Sequence, residues 1–160
     1  MDTIDRVIEQ WAKEKPELDT EPMAIMGRLM RVAKYMESRV AALHKKYDLK
    51  MGEFDVLATL RRAGSPYCLT PSALVESMML TSGAMTNRLD KLEKKGFITR
   101  IHNKEDRRSV TVELTREGLT LINKLILEHV AVQQSLLHGL DKNEKMQVNQ
   151  ALKLLLLQFD

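Results

Sequence analysis

The sequence predicts a mainly α-helical chain of the α+β class, in which one short antiparallel hairpin interrupts a series of helices. Three observations carry this expectation. Apolar residues recur every three or four positions over most of the 160 residues, the period of one-faced helices. Only the stretch from Phe97 to Leu114 alternates with a period of two, and a polar loop divides it. Aromatic residues make up only 4%, whereas Met, Leu, Ala and Lys, all good helix formers, abound.

Ile4, Val7, Ile8 and Trp11 are spaced for a first short helix that Pro16 ends. Ile25, Leu29, Val32, Met36, Val40 and Leu43 form the stripe of a long helix from Pro22 to about Tyr47. Met51 to Arg62 is a third helix, closed by Gly64-Ser65-Pro66. Thr70-Pro71 starts the fourth: the threonine supplies a capping oxygen, and proline sits where its missing N–H costs nothing. Thr81 or Ser82 caps a fifth helix, anchored by Met85, Leu89 and Leu92 and stopped at Gly96. Strands follow over Phe97 to Ile101 and Val110 to Leu114, and "SPYCLT" before the fourth helix reads as a loop. A long helix carries Leu119, Ile122, Ile126, Val130 and Leu137 until Gly139. Asp141 with Glu144 has capping-box spacing for the last one.

Composition narrows the functions open to such a chain. No apolar run approaches the ~20 residues that cross a bilayer. The acidic N-terminus lacks the pattern of a signal peptide. Cys68 is the sole cysteine, so no internal disulfide forms and a cytoplasmic location is expected, and with no adjacent cation to stabilise a thiolate the sequence gives no sign of a redox role. His44, His102, His129 and His138 have no zinc-ligand spacing, and no phosphate loop or nucleophile elbow is visible. Neither an enzyme nor a cofactor is expected. Charge is informative through its placement. Thr81 to Arg108 holds eight cations against four acids, in a chain whose total is only +3.

That charged segment has the chemistry of a duplex-reading element. A helix entering a major groove needs small or hydrogen-bonding residues on its outer N-terminal face and apolar anchors behind. Thr81, Ser82, Gly83, Ala84, Thr86, Asn87 and Arg88 supply the outer face. The hairpin carries Lys104, Arg107 and Arg108 at or near its tip, placed for phosphates or a minor groove. The fold is thus read as a winged helix-turn-helix. Residues 49–115 form its DNA-binding lobe, and 1–48 with 116–160 supply long terminal helices. The stripes of those helices exceed what so small a lobe covers, and a second copy of the chain, giving a homodimer, is their expected cover.

"LTPSALVESMMLTSGAMTNRLDKLEKKGFITR" followed by "DRRSVTVELTREG" resembles the multiple-antibiotic-resistance-regulator (MarR) family of transcription factors. Gly96, Ile98, Arg100, Asp106, Arg108, Val112, Leu114, Thr115 and Gly118 meet the family's strand-and-wing pattern. The resemblance implies a homodimeric, sequence-specific regulator that binds a pseudo-palindromic double-stranded operator, reads as a repressor, and loosens its hold when a small molecule binds.

The N-terminal helix with Trp11, the "FDVLATLRR" segment with Asp55, and Arg88 with Arg100 are similar to the urate-responsive subgroup of that family. The similarity implies that Trp11 stacks on a flat purine and Arg100 pairs with its negative charge. The anion would then repel Asp55 and release its partner Arg88 on the reading helix. The competing reading is a winged-helix protein-interaction module whose basic face meets an acidic partner. It predicts no salt-dependent duplex binding and leaves the outward Thr86 and Asn87 without a purpose.

Overall fold

Helix ends fall where the sequence supplies capping groups. In the computed structural model, which describes residues 1–78, 82–102 and 110–159, helix α1 spans Thr3–Glu14. The Asp2 carboxylate accepts from the Ile4 and Asp5 N–H groups at 2.7 and 3.0 Å, and Asp5 accepts from the Asp2 N–H at 2.6 Å. This reciprocal box satisfies orphan donors and places acid at the positive helix end. Helix α2 spans Glu21–Lys45. The chain divides into two compact units, Met1–Arg39 and Val40–Asp160.

Within the first unit, Arg28 of α2 joins Asp2 at 2.8 Å and also pairs with Asp5. That hydrogen bond holds the Asp2 carboxyl down at about 2. Gly27 faces Ile4, whose side chain would stand 3.1 Å from an added Cβ. Ile25, Met30 and Val32 remain exposed on α2.

The second unit continues through α3 (Met51–Arg62), β1 (Cys68–Leu69), α4 (Pro71–Met78), α5 (Ser82–Lys94), β2 (Ile98–His102), β3 (Val110–Leu114), α6 (Arg116–Leu136) and α7 (Lys142–Leu156). Thr70 caps α4, its hydroxyl accepting from the Ala73 N–H at 3.2 Å. Asp141 and Glu144 cap α7 reciprocally, both bonds at 2.8 Å. Val56, Leu57, Leu60, Leu74, Leu92, Val112, Ile122 and Leu125 are fully buried. They draw α3 to α6 and the sheet around one core. Leu127 on α6 and Leu154 and Leu157 at the C-terminal end stay largely exposed, and α7 buries no residue at all. No described helix is long and apolar enough to cross a membrane.

The sheet is antiparallel with strand order β1-β3-β2. Its third strand corrects the reading of "SPYCLT" as a loop throughout, because Cys68 pairs with Glu113 and Leu69 with Val112. Two residues are too few to show alternation in a sequence, and their partner lies more than forty positions away.

A tight joint closes the root of the hairpin. Gly96 stops α5 with φ +77°, a left-handed conformation that disfavours any side chain. The Thr115 hydroxyl donates to the Gly96 carbonyl at 2.6 Å and accepts from the Gly118 N–H at 3.0 Å, capping α6. A Cβ at Gly118 would collide with the carbonyl of Phe97.

Candidate nucleic-acid interface

The back of α5 is its anchor. Met85 and Leu89 are 2% exposed and Leu92 is fully buried, so the helix packs on the core by its apolar stripe. Gly83, Thr86 and Asn87 lie on the exposed surface, with Ala84 half-buried. Residues 83, 86 and 87 are separated by three and four positions and therefore share a face. Ser82 is the first residue of α5. Thr81, expected on the reading face, and Lys104, Arg107 and Arg108, expected at the hairpin tip, lie outside the described residues.

Arg88 points another way. Its guanidinium lies against the first turn of α3, in the space that a side chain at Gly52 would need. Its charge also acts on Asp55, one turn further along α3. Loss of hydration pushes the Asp55 carboxyl above its ordinary value, while Arg88 and then His129 pull it down. The structure thus brings together two of the four residues named for ligand response.

Arg100 is held by two carboxylates on α5. It meets Glu93 at 2.6 Å and Asp90 at 2.7 Å, and its backbone N–H donates to Glu93 at 3.1 Å. The hydrogen bond from Arg100 holds the Glu93 carboxyl below the usual range, and Glu93 and Asp90 raise the guanidinium in turn. Strand register explains the position. Ile98, Arg100 and His102 stand opposite Leu114, Val112 and Val110, so all six share one face of the sheet. Ile98 fills the core, and beyond it Arg100 and His102 reach the wall of a cleft of about 680 Å³ between α4, α5 and the sheet. Val75 and Met85 give that cleft apolar walls, and Glu76 and Glu93 add acids.

Trp11 stands on α1 in the first unit and is 40% exposed.

Two features lay beyond sequence reasoning. His44 and His129, 85 positions apart, meet Nε2 to Nδ1 at 3.2 Å, and both rings stack on Phe54. Burial, and then the neighbouring His129, lowers the His44 pKa to about 4; burial also lowers His129, against the pull of Asp55. His44 Nδ1 is buried with no hydrogen-bond partner among the described residues. The second feature is Glu53, 2% exposed and paired with Lys95 at 3.0 Å. It also accepts from the Lys50 N–H at 2.9 Å, where the capping spacing of Lys50 and Glu53 was the available signal.

Comparison with known proteins agrees with this geometry. The model of the MarR family matches residues 49–110, from just before α3 to the start of β3. The chain is 41% identical over 142 residues to the HTH-type transcriptional regulator PecS of Dickeya dadantii (strain 3937), covering 89% of this chain and 86% of that one. It is 32% identical over 119 residues to the multiple antibiotic resistance protein MarR of Escherichia coli (strain K12), covering 74% and 78%. Among solved structures, a mutant MarR from E. coli complexed with operator DNA is similar with a TM-score of 0.70 and 28% identity, over 86% of this chain and 97% of that one. These matches run over most of both chains, and the chain belongs to the MarR family of DNA-binding transcriptional regulators.

Proposed function

We propose that the chain is a homodimeric repressor, acting in the cytoplasm, that binds a pseudo-palindromic operator and is released by a small aromatic anion of the urate type. The observation that carries this reading is the two-sided build of α5. Met85, Leu89 and Leu92 fix the helix from behind, while Thr86 and Asn87 face outward with side chains able to hydrogen-bond base edges. Two such heads on a two-fold dimer meet half-sites whose centres lie about one helical turn apart. Lys104, Arg107 and Arg108 supply the cations for the backbone beside them.

Charge supports the anion response. Arg100 offers a guanidinium that an anion would take over from Glu93 and Asp90, Trp11 is a partly exposed indole of the kind that stacks on a planar ring, and Asp55 is a carboxylate whose charge an incoming anion opposes. Loss of the attraction between Asp55 and Arg88 then frees the reading helix to shift, provided the anion favours the shifted state.

Footprinting on the DNA upstream of the protein's own gene, with and without urate, tests the whole reading. Protection of two half-sites that urate removes is the expected result. Equal binding to random duplex excludes specific repression, and protection indifferent to urate removes the ligand. Asn87→Ala is expected to alter which sequence is preferred, and Arg108→Ala to weaken binding to all sequences alike.

A further inference from the structure

Four glycines lie inside described helices, and three of them have a visible reason. Gly27 faces Ile4, Gly52 leaves room for Arg88, and Gly118 clears the Phe97 carbonyl. Gly83 is different. A Cβ built there meets nothing within 4 Å among the described residues outside its own stretch of helix, and its backbone is not in the left-handed region. At such a position alanine suits the chain better, since it restricts the unfolded state and favours helix. Among the described residues neither packing nor backbone geometry calls for a glycine here, which points to a contact outside the chain.

We infer that Gly83 sets the depth to which α5 enters the DNA groove: its bare backbone touches the groove wall, and this contact lets Thr86 and Asn87 reach the base edges. The inference rests on the DNA-reading role proposed above and adds a specificity-determining residue to it. Gly83 is the second residue of α5, is exposed, and shares the face of Thr86 and Asn87. A methyl group at this position holds the helix away by about 1.5 Å, one carbon–carbon bond length. Hydrogen-bond lengths to bases span only about 0.5 Å, so contacts made by short side chains are lost. Long cationic side chains follow phosphates across such a gap. The effect therefore falls on discrimination, and general attraction to DNA survives.

The test uses the full-length protein, the operator footprinted with the wild type and a random duplex of equal length. Fluorescence anisotropy reads both affinities for wild type, Gly83→Ala and Gly83→Leu, and thermal unfolding is followed by circular dichroism. The expected result for Gly83→Ala is an unchanged or higher Tm, at least a tenfold loss of operator affinity, and affinity for random duplex within about threefold of wild type. Gly83→Leu loses more operator affinity than Gly83→Ala. The inference is overturned if Gly83→Ala binds operator as tightly as wild type, or if it lowers the Tm, since the glycine then serves the fold. A wild type that does not discriminate between the two duplexes sinks the DNA-reading role itself, an outcome distinct from the other two.

Discussion

Arg88 occupies the space that any side chain at Gly52 would fill, so α5 and the first turn of α3 are joined where a single hydrogen atom takes the place of a side chain. The obstructing atoms belong to the free end of a long side chain. Gly52→Ala should therefore expel the guanidinium and leave the core intact. Gly52→Ala and Arg88→Ala are then expected to change operator affinity by similar amounts, about 0.5–2 kcal/mol each, and the double variant by no more than either alone. A double-mutant cycle read by anisotropy checks this, and additive losses would show that the two residues act independently.

The Arg100 clasp predicts a titration. Glu93 is depressed by the guanidinium beside it, so its contribution to stability is complete above the ordinary carboxylate range and is lost as pH falls through its lowered folded value. In Arg100→Ala the Glu93 carboxyl is expected to return toward its ordinary value, which NMR titration of side-chain carboxyl shifts reads directly. Both partners are partly exposed, so the accompanying loss of stability is expected to be small, below about 1 kcal/mol.

Stability should also fall on the acid side because of His44. Its folded pKa of about 4 lies below the ordinary 6.5, so the unfolded chain takes up a proton that the folded chain refuses. The sign follows: stability is fully present above about pH 6.5 and declines toward pH 4, by roughly 3 kcal/mol if the ring stays neutral throughout. Urea unfolding between pH 4.5 and 7.5 measures the slope. His44→Phe keeps a ring against Phe54 and is expected to flatten it, at the cost of the hydrogen bond to His129.

The exposed apolar residues at the C-terminal end give a test of assembly. Leu154 and Leu157 are 58% and 61% exposed in the single chain. Replacing both by Glu adds two charges without touching the buried core. The expected outcome is a change from dimer to monomer in sedimentation equilibrium, together with a fall in operator affinity of more than tenfold. Retention of the dimer would place its interface elsewhere.

What the sequence reveals here is what is local. Thr70-Pro71 and the pair Asp141 and Glu144 act within one helical turn, so their spacing in the chain already is the interaction. The anchors Met85, Leu89 and Leu92 were equally legible, because periodicity alone puts them on one side. The features that needed coordinates are closed by distant parts of the chain. Cys68 and Leu69 become a strand only through β3, His44 finds His129 across 85 positions, and nothing in "GFITR" announces that Arg100 turns back onto Glu93. Gly52 and Gly83 look alike in a sequence. Only the space around each distinguishes a seat for a neighbour from an unfilled surface.

The joint made by Gly96, Phe97, Thr115 and Gly118 has a consequence for how such a protein diverges. Both legs of the hairpin are clamped where they leave the body, by the hydroxyl of Thr115, its N–H on the Phe97 carbonyl at 3.1 Å and the close approach of Gly118. The two strands therefore leave the body from one fixed root and keep a set bearing on α5. If α5 reads DNA as proposed, descendants can acquire new genomic addresses by changing its outward residues, while the load of folding stays on its buried stripe and on the hairpin root.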